Sequence, residues 1–289
     1  MLDLVIIIPT LNRPSILKDC LDSLKRQTIV TPMIYVIDQS DDTKTKELCK
    51  NYHVKYFKVS YKNKSRAANF GIGKTNSRYI AIVDDDVILL PDWLENIKKV
   101  LEENKYAYPV IQGQIIAGKT QSDTEVSRIN DTGERRKVFK KKLITPIFKI
   151  GCNFIFSRDI LEEVGLFDVN FGPGSLFLSA DDAEWGYRVL NSGFKAIFEP
   201  SVQLIHQSWR NQQEDLKQMS DYGYGAGAFI TKVKANSILD YMYHFFSIKR
   251  WLWYHIIFHS FNSKKCAPYK EYKRQFNNGI FAYKNNATI

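Results

Sequence analysis

Tyr79-Ile80-Ala81-Ile82-Val83-Asp84-Asp85-Asp86 is an unbroken apolar run that stops abruptly at three carboxylates. A run of this kind, rich in branched side chains, reads as a strand covered on both faces, inside a parallel sheet flanked by helices. The acids then stand at its C-terminal tip, where open α/β sheets bind ligands. Side chains alternate along an extended chain, so Asp84 and Asp86 are expected on one side and Asp85 on the other. Adjacent negative charges repel one another, and a divalent cation screens them most simply. A solvated acidic turn closing the strand is the other reading the triplet allows.

Outward from this strand, extended and helical patterns alternate. Strands are expected at Leu4 to Ile8, Met33 to Ile37, Val54 to Val59 and Tyr108 to Ile116, with helices at Pro14 to Gln27, Thr43 to Asn51, Ser65 to Lys74 and Pro91 to Glu103. That order implies an α/β fold with a mostly parallel central sheet and helices on both faces. Pro14 and Pro91 stand where a first helical turn tolerates proline. Lys119 to Lys142 is polar, carries Arg135-Arg136-Lys137 and Lys140-Lys141-Lys142, and lacks periodicity. It reads as a long loop, either merely solvated or contacting an anion. Regular structure returns with a strand at Asn153 to Phe156, a helix at Arg158 to Val164, a helix opened by Ser179-Ala180-Asp181-Asp182 and stopped at Gly193, and a strand at Lys195 to Phe198. From about Gln213 the chain reads as helical.

With 289 residues, 44% hydrophobic and 25% charged, the chain is globular material, and its net charge of +10 suggests an anionic partner. Cys20, Cys49, Cys152 and Cys266 form no CxxC pair, which argues against a zinc site or a disulfide framework and for reduced thiols in the cytoplasm. No signal peptide or N-terminal anchor is read at Met1.

Two further strand ends carry polar groups to the same edge. The first ends in Pro9-Thr10-Leu11-Asn12-Arg13 and the second in Asp38-Gln39-Ser40-Asp41-Asp42. Asp38 either accepts from a nucleobase or ribose, or forms an Asx turn. No GxGxxG follows the first strand, which disfavours a Rossmann dinucleotide site, and Gly223, Gly225 and Gly227 follow no strand.

Together these segments resemble the inverting family 2 glycosyltransferases of the GT-A fold, over about Leu4 to His206. Val5 to Arg13 looks like the opening strand and nucleotide-contacting loop, and Ile37-Asp38-Gln39-Ser40 like the segment that holds the base. Ser65-Arg66-Ala67-Ala68-Asn69-Phe70-Gly71-Ile72 is similar to the helix before the DxD strand, and Asp84-Asp85-Asp86 matches the DxD motif. Gly151-Cys152-Asn153-Phe154 through Val164-Gly165-Leu166-Phe167-Asp168 resembles the acceptor-side strand, helix and turn. Asp181-Asp182-Ala183-Glu184-Trp185-Gly186-Tyr187-Arg188 matches the Glu-Asp helix, with His206 at the place of a late metal ligand. Ala68 departs from a common arginine, with Arg66 or Lys64 as substitutes, and Asp181 replaces a glutamate.

The resemblance implies a nucleotide-sugar site of Pro9, Thr10, Asn12, Arg13, Asp38, Arg66, Asn69, Asp84 and Asp85, and a Mn²⁺ or Mg²⁺ ion held by Asp84, Asp86 and His206. It also implies Asp182, seconded by Asp181, as the base that takes the acceptor's proton. Against this stand two structural readings: a Ser179/Asp182 capping box with a Glu184–Arg188 helical pair, and His206 as an incidental surface histidine. Residues 1–210 form the expected catalytic domain, with 1–116 as the nucleotide-sugar half and 117–210 as the acceptor half. A helical extension over 211–289 is expected to carry aromatics, Tyr241 to Phe261, around Lys249 and Arg250. Its apolar stretches are too short to span a bilayer. They suit either an anionic membrane surface at the cytoplasmic face, or packing against the catalytic domain or a second copy. The expected activity is transfer from a nucleotide sugar, a UDP-sugar by resemblance, to a glycan or lipid-linked acceptor in capsule or O-antigen assembly. A nucleotidyltransferase lacks its glycine-rich basic loop here, and a nucleic-acid binder leaves the convergent acids unexplained.

Overall fold

The computed structural model describes residues 2–103, 107–120, 125–127, 135–149, 151–207 and 209–286. The elements of the first half follow in the order β1 (Leu4–Thr10), α1 (Pro14–Lys25), β2 (Met33–Asp38), α2 (Lys44–Cys49), β3 (Val54–Lys58), α3 (Lys64–Gly73) and β4 (Tyr79–Val83). Every residue of β1 and β4 is buried. Their side chains divide between two cores, Leu4, Ile6 and Ile8 meeting α1 on one face while Val5 and Ile7 meet α3 on the other. On α1, Leu17, Leu21 and Leu24 recur on one face and are fully enclosed. Each such leucine contributes about 1.5–3 kcal/mol relative to exposure.

β5 (Val87–Leu89), α4 (Trp93–Glu103), β6 (Val110–Ala117), β7 (Lys137–Phe139), β8 (Asn153–Ser157), α5 (Leu161–Val164), α6 (Asp181–Asn191) and β9 (Ala196–His206) complete the sheet and its cover. Strand order is β3-β2-β1-β4-β8-β6-β9-β5, with β7 on β9. The expected α/β fold with helices on both faces is present, but only β3-β2-β1-β4 and the β6–β9 pair are parallel. β8 runs antiparallel to both β4 and β6. No crossover helix joins β6 to β8 among the described residues, which is what a parallel pair needs.

Three boundaries differ from the sequence reading. Pro91 lies before α4 instead of within its first turn, and part of the presumed basic loop is strand β7, where Arg136 pairs with Glu199 at 2.5 Å. Residues 121–124 and 128–134 of that loop lie outside the described residues. β9 does not stop at Phe198 but runs on to His206. It passes Pro200 by a register shift: Gly113 faces Glu199, then Gln114 faces Gln203. Proline has no N–H for the ladder, so the strand bulges there. The buried Asn153 amide fills the gap, donating to Gln114 O and Val202 O at 2.9 Å each.

α7 (Gln212–Asn236), α8 (Ile238–Phe258) and α9 (Ser263–Asn286) form the expected helical extension. The glycine run is helical and serves close packing: a Cβ at Gly227 would lie 2.1 Å from Phe276 O on α9, and one at Gly223 2.4 Å from Tyr272 O. A third core, with Phe171 and Phe177 from the loop before α6, Tyr187 from α6, Phe229 from α7 and Phe276 from α9, seats the extension on α6 and the loop that precedes it. Asp240, buried on α8, accepts from Tyr187 Oη at 2.8 Å and Thr145 N at 3.0 Å.

Candidate active site

Strand register brings the acids together. Val83 pairs with Asn153 across β4 and β8, so one step further out Cys152 stands beside Asp84. Val87 pairs with His206 across β5 and β9, which sets the histidine beside Asp86. The extension of β9 past Pro200 is therefore what delivers His206: its Nε2 lies 3.0 Å from Asp86 Oδ1.

Each acid of the triplet has its own partners. Asp84 Oδ1 meets Lys64 Nζ at 2.5 Å. Asp86 binds His206 and, at 3.2 Å, Arg13. Asp85 is fully buried and turned the other way, accepting from Thr10 Oγ1 at 2.6 Å and from Arg13 Nη2. Burial raises Asp85 to about 6 against the opposing pull of Arg13 and Thr10. Burial also opposes ionisation of Asp86, but the His206 hydrogen bond and the charges of His206, Arg13 and Lys64 outweigh it and carry Asp86 well below the carboxylate range. The repulsion expected of three adjacent acids is thus met in part by the protein's own cations.

Lys64, in the first turn of α3, lines two clefts. One, of about 560 Å³ and open to solvent, is walled by Pro9, Thr10, Arg13 and Gln39 on the sheet side and by Pro173 and Gly174 opposite. The other is bordered by Asp84, Gly151, Phe154, Asp181 and Asp182. Gly172 and Gly174, both at positive φ, let this wall close: a Cβ at Gly174 would lie 2.2 Å from Lys62 O, and one at Gly172 2.9 Å from the Asp181 carboxyl carbon. Lys64 N donates to Pro173 O at 3.0 Å. Sequence reasoning passed over Gly172-Pro173-Gly174, although two glycines around a proline signal such a turn.

At the head of α6, Asp181 is raised above the carboxylate range chiefly by burial, with Lys64 opposing and Asp182 and Asp84 adding. Asp182 accepts from Gly151 N at 3.2 Å and Ala183 N at 2.8 Å. The capping box does not form: the N-cap is Ala180 at φ 69°, and Ser179 Oγ donates instead to Asp221 O at 2.8 Å. The Glu184–Arg188 pair does form, at 2.7 Å, and Arg188 also donates to Leu166 O at 2.8 Å, fixing the turn before Asp168.

Four expected nucleotide contacts are otherwise engaged. Asp38 is enclosed and accepts from Ser40 N, Tyr56 Oη and Lys58 Nζ, so it shapes an Asx turn. Asn69 uses both ends of its amide on Phe167, at 2.8 and 3.0 Å, tying α3 to the turn after α5. Arg66 lies over the Tyr61 ring at 4.2 Å, and of the two substitutes for Ala68 it is Lys64 that enters the clefts. Asn12, at φ 55°, bonds Ser40 and Asp41 and links the two strand ends.

The residues fit a divalent cation. One donor atom each from Asp84, Cys152 and His206 lies within 4.8 Å of the others, a carboxylate, a thiol and an imidazole facing one point. Cys152 was legible only as part of a motif, because its place opposite Asp84 depends on register.

The chain matches the family described as glycosyl transferase family 2 over residues 5–165. It is 26% identical over 230 residues to the minor teichoic acid biosynthesis protein GgaB of Bacillus subtilis, an alignment covering 72% of this chain and 25% of that one. To the O-antigen chain rhamnosyltransferase RfbN of Salmonella typhimurium it is 23% identical, over 76% of this chain and 71% of that one. The chain thus spans about a quarter of the Bacillus protein's length. In fold it is similar to the mannosyltransferase PcManGT from Pyrobaculum calidifontis, solved with GDP-Man and Mn²⁺, with a TM-score of 0.58, 16% identity, and coverage of 81% of this chain and 65% of that one.

Proposed function

The chain belongs to glycosyl transferase family 2, and on that premise we propose that it transfers a sugar from a nucleotide-sugar donor to a glycan or lipid-linked acceptor, with inversion. The similarity to a teichoic acid protein and an O-antigen rhamnosyltransferase supports a place in surface polysaccharide assembly. The observation that carries the reading is the convergence around Lys64 of two sets of acids: Asp84, with Asp86 and His206 beside it, and Asp181 with Asp182.

The open cleft receives the nucleotide diphosphate, against Thr10, Arg13 and Lys64. A Mn²⁺ or Mg²⁺ ion held by Asp84, Asp86 and His206 supplies neutralisation of the leaving diphosphate. Lys64 adds a second positive charge; burial works against it, but Asp84 and Asp181 hold its pKa above the ordinary lysine value. Asp182, at the rim of the second cleft, accepts the proton of the acceptor hydroxyl as that oxygen attacks the anomeric carbon from the face opposite the diphosphate. Asp84 holds Lys64 between the two clefts, and the charge of Asp181 reinforces it. Screening a panel of nucleotide sugars for metal-dependent hydrolysis tests the reading: a UDP-sugar is expected to be cleaved, and binding to oligonucleotides in place of any nucleotide sugar would overturn it.

We further propose that the extension rests on an anionic membrane surface. α8 turns Tyr243, Phe246, Trp253, Tyr254 and Phe258 outward, and fully exposed Phe261 follows it, with Lys264 and Lys265 after two further residues. No described helix is long and apolar enough to cross a membrane. An interfacial face of aromatics beside lysines, on a chain of net charge +10, suits anionic headgroups.

A further inference from the structure

We infer that Cys152 is a ligand of the divalent cation, and that the site accordingly favours a thiophilic ion over Mg²⁺. The inference rests on the metal site of the preceding section and adds to its three donors a fourth and a metal preference.

Cys152 sits where the β4–β8 ladder turns outward, one pair beyond Val83 and Asn153, so its side chain is carried by the same register that positions Asp84. Its sulfur shares with a carboxylate oxygen of Asp84 and a ring nitrogen of His206 a space in which all three atoms lie within 4.8 Å of one another. The residue is 6% exposed and forms no disulfide. Burial, reinforced by Asp84 and Asp86 against the opposing charge of Lys64, holds the thiol well above its ordinary value, so a bound ion has to displace its proton.

The donor set decides the preference. Mg²⁺ is a hard ion that takes oxygen ligands and retains its waters, whereas a thiolate joined to an imidazole selects softer ions such as Zn²⁺, Co²⁺ or Cd²⁺. Cys152 thus adds a thiolate to the imidazole of His206 and the carboxylates of Asp84 and Asp86. On binding, the thiol releases its proton to solvent and the sulfur donates a lone pair to the ion. No oxidant or further reactant is involved. A packing role is the alternative, since Cys152 also belongs to the core cluster around β4 and α4.

Cobalt spectroscopy on the full chain separates the two. Co²⁺ titrated into wild-type protein is expected to produce a near-ultraviolet sulfur-to-cobalt charge-transfer band that saturates at one equivalent. Cys152→Ser is expected to bind Co²⁺ without that band, and to lose Cd²⁺ affinity at least about tenfold while Mg²⁺ affinity changes less than about twofold. Cys20→Ala, whose thiol lies 3.8 Å from Asp84 O, keeps the band. Far-ultraviolet circular dichroism confirms that each variant is folded, and Cys152→Ala serves if the serine is not. Visible cobalt absorption in wild type with no charge-transfer band, or a band that survives in Cys152→Ser, overturns the thiolate ligand and leaves the metal site standing. Absence of any divalent-ion binding, with or without UDP, overturns both.

Discussion

At the residue scale, Asp85 changes most on passing from sequence to structure. Alternation along the strand correctly turns it away from Asp84 and Asp86, but what it meets there comes from the end of β1 and the start of α1, more than seventy residues away, as a hydroxyl from Thr10 and a guanidinium from Arg13. Removing the hydroxyl leaves a buried carboxylate short of a donor. Thr10→Val is therefore expected to cost about 1–3 kcal/mol in urea unfolding, and a loss below about 0.5 kcal/mol would show that the bond contributes nothing. Asp38 and Asn69 teach the complementary lesson. Their positions in the family pattern were readable, yet their side chains are consumed by Ser40, Tyr56 and Phe167. A motif identifies a residue; only packing shows whether its polar atoms are still available.

At the scale of elements, the βα alternation from Leu4 to Glu103 was legible because buried strands and one-sided helices impose local periods of two and 3.6. The reversal of β8 and the run of β9 to His206 were not, since both depend on pairing between distant segments and on a bulge at Pro200. The fit of α7 against α9 was hidden too, because a glycine run in a helix does not say which backbone it packs against. Gly227→Ala sets a methyl group 2.1 Å from Phe276 O, and thermal unfolding should register a loss of about 1–3 kcal/mol. The extension is also tied to the site's rear wall by Lys232 on α7, which reaches Asp168 and Glu184 at 2.7 Å each. Burial works against the ionised form of Asp168, but hydrogen bonds from Lys232 and Asn170 N leave it below the ordinary range. A depressed carboxyl contributes stability that is complete above the unfolded value of about 4 and is lost as pH falls through the folded one. Urea midpoints of the wild type should therefore drop below about pH 4, and those of Lys232→Met, lower at neutral pH, should fall less steeply. Parallel pH profiles for the two proteins would remove the pair from the account.

For the whole molecule, two functions are proposed, one for the positive charge and the outward row of α8 and the other for the two clefts around Lys64. Liposome sedimentation addresses the first. Wild type should pellet with anionic vesicles at low salt and stay in solution with neutral ones, and Trp253→Ser with Phe258→Ser should abolish pelleting. Unchanged sedimentation of the double variant, or concentration-dependent dimerisation through the same face, would assign α8 to a protein partner. The second proposed function would divide labour between acids that are ninety-six residues apart in sequence, Asp86 between β4 and β5 and Asp182 at the head of α6. Titration calorimetry of UDP in the presence of Mn²⁺ tests that division most directly, on wild type, Asp182→Asn and Asp86→Asn. The account predicts that Asp182→Asn binds UDP within about twofold of wild type while its transfer rate falls by about 10²–10⁴, and that Asp86→Asn binds it at least about tenfold more weakly. Equal loss of UDP affinity in the two variants would contradict it.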